Sequence, residues 1–257
     1  MGPLIWSLTY PCPAPWIERF EGVGLKTFHI PFVRIERVGD GTAIDSALRR
    51  LSSYDGVVFT SRHAVRMTGE RLDALGVVPS VPIFCVGPST AGEIEKRGWK
   101  AETVGRRYSG EGLVAGLVHR FAYGGRLLFP RSTGSNMAPW TRLKKKGIEV
   151  DGIDLYRPCP ITFREGSKVR EIVQRKGAWV TFGSPSGIEA WINIWGSSPQ
   201  ATRRLEDARV AAIGKTTARA LKRLGIVPGI IAGRPTAEHL CRAIYGTVRS
   251  EGHGPFA

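Results

Sequence analysis

Apolar residues recur along this chain in short runs that end at Gly, Pro or Ser. Longer stretches lie between them, with apolar positions three or four apart and charges in the gaps. Residues 57–59, 82–86, 126–129, 179–182 and 210–213 read as buried strands of a parallel sheet. Residues 43–51, 89–97, 111–120, 136–146 and 215–224 have the period of amphipathic helices. Gly98, Gly147 and Gly225 stand where a helix would stop in a left-handed cap. Strand, loop and helix in alternation predict an α/β fold built on parallel sheets flanked by helices.

The pattern occurs twice. Val57-Val58-Phe59-Thr60-Ser61 is echoed by Val180-Thr181-Phe182-Gly183-Ser184, and the two serines stand 123 positions apart. Leu4-Ile5 with Leu127-Leu128, Gly24-Leu25 with Gly147-Ile148, and Phe32-Val33-Arg34 with Leu155-Tyr156-Arg157 keep that offset. Further on the offset becomes 127: Val86-Gly87-Pro88-Ser89-Thr90-Ala91 matches Ile213-Gly214-Lys215-Thr216-Thr217-Ala218, and Ser109-Gly110-Glu111 matches Thr236-Ala237-Glu238. The matches keep their order, as expected for one α/β unit used twice. Residues 30–37 and 153–160 are repeat-mates that read as extended rather than as strand-then-helix, which makes them the natural crossings between two domains.

In open parallel sheets ligands gather at the carboxyl ends of strands, on the loops that lead into helices. Those loops hold Thr60 and Ser61; Gly87, Ser89 and Thr90; Arg131; Gly183, Ser184 and Ser186; and Gly214, Lys215, Thr216 and Thr217. Small hydroxyl residues there cap helices, and the N–H groups left over bind anions such as phosphate or carboxylate. The net charge of +15 implies either an anionic partner, whether a polyanionic small molecule or a nucleic acid, or simply a basic proteome, and does not choose among them.

Other chemistries find no support. Gly214-Lys215-Thr216 resembles the end of a phosphate loop, but Arg209 stands where the first glycine is needed. The glycines at 22 and 24 lack a third partner at Thr27. His29, His63, His119, His239 and His253 are too scattered to suggest a metal site, and no G-x-S-x-G elbow is present. Cys12, Cys85, Cys159 and Cys241 form no C-x-x-C pair and read as reduced thiols. The first cationic residue is Arg19, the apolar stretch at 4–8 is short, and no run nears the roughly 20 apolar residues of a membrane helix, so a soluble cytoplasmic protein is expected.

Several stretches taken together resemble the uroporphyrinogen-III synthase family. In the first repeat they are Asp55-Gly56-Val57-Val58-Phe59-Thr60-Ser61 and Val86-Gly87-Pro88-Ser89-Thr90-Ala91, with Tyr108-Ser109-Gly110-Glu111 behind them. In the second they are Phe182-Gly183-Ser184-Pro185-Ser186-Gly187, Ala211-Ala212-Ile213-Gly214-Lys215-Thr216-Thr217-Ala218 and Pro235-Thr236, with the crossing Leu155-Tyr156-Arg157. Leu8-Thr9-Tyr10 departs from the family's usual Thr-Arg, Lys215 from a usual proline, and Gly183 interrupts an otherwise matching Phe-Ser-Pro-Ser stretch.

The resemblance implies two α/β domains joined by a two-stranded ladder, residues 1–33 with 158–257 and residues 38–152, with a cleft between them. It implies an enzyme without metal or organic cofactor that takes hydroxymethylbilane, expels water, inverts the last pyrrole ring and closes the macrocycle. Tyr156 would be the candidate proton donor. Thr60, Ser61, Gly87, Ser89, Thr90, Ser109, Arg131, Gly183, Ser184, Ser186, Gly214, Lys215, Thr216 and Thr217 would hold substrate carboxylates. A monomer is expected, supplied by hydroxymethylbilane synthase and binding neither nucleic acid nor membrane. A non-catalytic tetrapyrrole- or polyanion-binding paralogue, or a basic nucleic-acid-binding protein, are the alternative readings.

Overall fold

Burial along the strands alternates between two faces, and both faces are covered. In the computed structural model, which describes residues 2–105, 108–164 and 167–252, the chain divides into two compact units. One comprises 1–35 and 158–257, the other 36–157, and the chain passes from one to the other within two strands. His253 lies outside the described residues.

In chain order the elements begin with β1 (Leu4–Trp6), α1 (Ala14–Glu21), β2 (Thr27–His29), β3 (Val33–Arg37), α2 (Thr42–Arg49), β4 (Gly56–Phe59) and α3 (Arg62–Leu75). Then follow β5 (Ile83–Cys85), α4 (Pro88–Glu95), β6 (Ala101–Thr103), α5 (Gly110–Arg120), β7 (Gly125–Ser132), α6 (Thr141–Lys144) and β8 (Ile148–Pro160). The rest are α7 (Lys168–Val173), β9 (Trp179–Phe182), α8 (Pro185–Trp195), α9 (Ser198–Arg203), β10 (Arg209–Ala212), α10 (Lys215–Arg223), β11 (Ile230–Ile231) and α11 (Ala237–Gly252).

The first unit carries a five-stranded sheet in the order β11-β10-β9-β1-β2, with parallel pairing throughout. Ile5, Val180, Phe182, Val210 and Ala212 face a core shared with Trp191, Ile194 and Leu221 of α8 and α10. Their strand neighbours Leu4, Trp6, Trp179 and Ala211 face the opposite core, closed by Trp16 and Phe20 of α1 and Leu240, Ile244 and Val248 of α11. This period of two, buried on both sides, is why the strands read as unbroken apolar runs.

The second sheet runs β3-β8-β7-β4-β5-β6. Val58, Phe84, Leu127 and Phe129 pack with Leu113, Val114 and Leu117 of α5 and Leu143 of α6, and Trp140 stacks on Phe129 with ring centroids 3.8 Å apart. The N–H of Val38 donates to the Leu155 carbonyl at 2.9 Å and that of Ile161 to the Phe32 carbonyl at 2.8 Å. The pairing numbers run in opposite senses, so β3 and β8 form an antiparallel ladder.

Repeat-mates hold the same places in the two sheets. β8-β7-β4-β5-β6 matches β2-β1-β9-β10-β11 position for position at the sequence offsets of 123 and 127. Gly98, Gly147 and Gly225 have φ near +72°, +72° and +77° and end their helices in the left-handed region. The helix expected over 136–146 is shorter: a 3₁₀ turn at Ala138–Trp140 leads into α6. Pro139 supplies no N–H there, and the Asn136 side chain takes the Ala138 N–H at 3.0 Å, so the regular ladder starts late. Among the described residues no helix is long and apolar enough to cross a membrane.

Candidate functional site

The strand order reverses direction between β1 and β9 in one sheet and between β7 and β4 in the other, the positions where the carboxyl edge of a parallel sheet opens a crevice. At the first, the buried Ser7 and Thr181 stitch the strands together. The Ser7 N–H donates to Thr181 Oγ1 at 3.0 Å, Thr181 Oγ1 donates to the Ile5 carbonyl at 3.1 Å, and Ser7 Oγ donates to the Thr181 carbonyl. The loops beyond carry Gly183, Ser184 and Ser186 into α8.

The expected residues at helix starts separate into two kinds. Ser61 caps α3 by accepting from the His63 N–H at 3.0 Å, Ser109 caps α5 from Gly112 at 3.2 Å, and Ser184 caps α8 from Gly187 at 3.3 Å. Ser184 Oγ also shares a hydrogen bond with Ser186 Oγ at 2.9 Å. By contrast α4 and α10 begin at Gly87 and Gly214 with no side-chain cap. Their first-turn N–H groups, on Ser89 in α4 and on Lys215, Thr216 and Thr217 in α10, are those a helix leaves without an internal acceptor. Lys215 and Thr216 are exposed and Ser89 half-buried, whereas Thr90 and Thr217 are buried.

Each uncapped glycine sits under the next loop of its own unit. A Cβ on Gly87 would come within 3.1 Å of the Tyr108 ring, and one on Gly214 within 3.3 Å of Pro235 Cβ. Tyr108 and Pro235 are themselves repeat-mates, followed by Ser109 and by Thr236, which accepts from the His239 N–H at 3.3 Å to start α11. The structure therefore brings Gly87 together with the Ser109 loop, and Gly214 together with its counterpart.

Thr60 and Ser61 follow β4, which β7 separates from β8. There the Tyr156 hydroxyl donates to Ser61 Oγ at 2.7 Å, and the His63 ring lies 5.9 Å from the Tyr156 ring. Burial raises the pKa of Tyr156 above that of a free phenol, and the Ser61 hydrogen bond opposes the shift. Burial first, then the charges of Arg62 and Arg66, lower the His63 pKa to about 4, so this imidazole is neutral near pH 7. His63 was not singled out in the sequence. Its only sequence mark is its place two residues after a capping serine. Arg131 is not a bare cation: its Nε donates to the Asp154 carboxylate at 2.7 Å from the neighbouring strand.

Residues 14–242 match the family model described as uroporphyrinogen-III synthase HemD. The chain belongs to this family. It is 24% identical over 242 residues to the uroporphyrinogen-III synthase of Schizosaccharomyces pombe, covering 90% of each chain. It is 26% identical over 225 residues to that of Chlorobaculum parvum, covering 85% of this chain and 87% of the other. Solved structures of uroporphyrinogen III synthase from Thermus thermophilus (a mutant form) and Helicobacter pylori superpose with TM-scores of 0.67 and 0.62. They cover 99% and 97% of this chain and all of theirs, each at 18% identity, a likeness that speaks for the fold. Members of the family are enzymes of porphyrin biosynthesis acting on a tetrapyrrole substrate, and so is this one.

Proposed function

We propose that this chain cyclises hydroxymethylbilane to uroporphyrinogen III, with loss of water and inversion of the last pyrrole ring. The observation that carries the reading is the family match over 14–242, and the two helix starts without a side-chain cap support it. The substrate is a flexible polycarboxylate whose hydroxyl leaves readily to give an azafulvene. Simple closure of that electrophile yields the unrotated isomer. The enzyme's task is to hold the chain so that the substituted carbon of the last ring attacks instead, which is catalysis by positioning.

In this reading the N–H groups at the starts of α4 and α10 take carboxylates, with Lys215 adding charge. The capped loops at Ser61, Ser109 and Ser184 shape the surroundings, Thr60, Thr90, Ser186 and Thr217 hold the loops, and Tyr156 supports departure of the hydroxyl. Arg131 contributes through the N–H groups that Asp154 leaves unused. The two compact units act as the two domains, with β3 and β8 as the crossings. A monomeric cytoplasmic enzyme that receives its labile substrate directly from the synthase making it fits the short life of hydroxymethylbilane in water. The test is to incubate purified protein with freshly generated hydroxymethylbilane and separate the product isomers.

A further inference from the structure

Tyr156 does not present its hydroxyl hydrogen outward. The phenol is the stronger acid of the pair and donates to Ser61 Oγ at 2.7 Å, and Tyr156 is only 6% exposed. Ser61 Oγ also accepts the His63 N–H at 3.0 Å. A hydroxyl oxygen has two lone pairs, and both are occupied. What Ser61 has left is its own hydrogen, and Ser61, at the end of β4 and half-buried, is the more open of the two residues.

We infer that Ser61 is the group that touches the leaving hydroxyl, and that Tyr156 acts through it. This rests on the cyclase reading above and assigns its proton path. Ser61 gives its hydrogen to the departing oxygen as the C–O bond breaks and water leaves. The electron pair of the pyrrole nitrogen fills the gap to form the azafulvenium cation, which keeps its N–H. The Tyr156 proton moves onto Ser61 Oγ in the same event. The substituted carbon of the last ring attacks this cation to give a spiro intermediate. Its bond to the former bridge breaks, and the bridge rejoins at the unsubstituted carbon, whose proton is lost, returns along the chain and restores Tyr156. No oxidant or added group is needed. The neutral His63 beside Tyr156 places no charge on the path, while its backbone N–H fixes Ser61 Oγ from the other side.

Two groups in one relay fail together rather than in proportion. The experiment measures the rate of uroporphyrinogen III formation from hydroxymethylbilane for Ser61→Ala, Tyr156→Phe, the double variant and Ser61→Thr, each checked for folding by thermal melting. Ser61→Gly stands in should the alanine variant fail to fold, because glycine is nearly as good a helix cap. Ser167→Ala removes an equivalent cap from α7, outside this machinery, and controls for cap loss alone. General acid assistance is worth about 10²–10⁴-fold, and a good leaving group places the loss near the lower end. The expected result is about a hundredfold loss in each single variant, the same loss in the double, recovery in Ser61→Thr, and full activity in Ser167→Ala. Losses that multiply in the double variant, or a loss in Tyr156→Phe with none in Ser61→Ala or Ser61→Gly, overturn the relay. Wild-type protein that forms only the unrotated isomer overturns the cyclase reading instead.

Discussion

Leu8 packs directly over the α-carbon of Gly183. A Cβ built on Gly183 would stand 2.7 Å from Leu8 Cγ, closer than real side chains approach, and Leu8 is 3% exposed with no room to withdraw. These are two of the positions at which the sequence departs from the pattern it otherwise resembles. They compensate each other: the bulkier residue after β1 is accommodated because the one after β9 has no side chain.

The pair is testable by a double-mutant cycle. Gly183→Ala alone should cost about 1–3 kcal/mol through overpacking, since its backbone is not in a region that requires glycine. In a Leu8→Ala background the same substitution should cost almost nothing. Denaturant titration of the four proteins measures the coupling. Equal costs in the two backgrounds would mean that Leu8 is not what excludes a side chain at 183.

His63 gives the stability a defined pH dependence. Its folded pKa of about 4 lies below the ordinary value of 6.5, so above pH 6.5 it is neutral in both folded and unfolded chains and contributes nothing. Between pH 6.5 and 4 the unfolded chain takes up a proton that the folded one refuses, and stability falls. The loss attributable to this residue should approach about 3 kcal/mol by pH 4. His63→Gln should remove that part of the acid sensitivity, seen as a shallower fall in unfolding free energy between pH 6.5 and 4. An unchanged slope would contradict the buried neutral state.

Affinity for the polycarboxylate product should weaken with ionic strength, and only moderately. The donors at the starts of α4 and α10 act at hydrogen-bond range, where screening by salt is slight, while Lys215 is exposed and fully screened. Titration over a salt series should show a shallow slope that becomes shallower in Lys215→Ala. A flat response in the wild type would remove charge from the account.

Backbone changes at the uncapped helix starts should exceed side-chain deletions beside them. Thr217→Ala should cost about 0.5–1.5 kcal/mol, the net worth of one hydrogen bond. Gly214→Val places branched carbons against Pro235, already 3.3 Å from a Cβ, and shifts the donors of α10 together. Product affinity measured by calorimetry should fall much further for Gly214→Val than for Thr217→Ala. The reverse order would place the binding energy in side chains.

The strands were legible because residues such as Val57, Val58 and Phe59 are buried on both faces and leave unbroken apolar runs. The repeat was legible because it preserves spacing, and it returns as one strand order used in both sheets. Helix α3 was not singled out: Arg62, Arg66, Glu70 and Arg71 mask its narrow buried stripe of Ala64, Val65, Thr68 and Leu72. The loops could be located in the sequence, but which of them carry caps could not. Ser61, Ser109 and Ser184 turn inward to their own helices, while Gly87 and Gly214 have no side chain to turn. The partnership of Tyr156 with Ser61 spans 95 positions and depends on β8 and β4 flanking β7 in one sheet, which no local pattern records. The ion pair of Arg131 with Asp154 likewise follows from strand register.

The measurement that bears most directly on the whole account is the isomer composition of the product. Hydroxymethylbilane closes unaided to the unrotated isomer I. With catalytic amounts of this protein, chromatography of the oxidised porphyrins should show isomer III replacing isomer I in proportion to enzyme added. Isomer I in the same amount with and without protein would contradict the account.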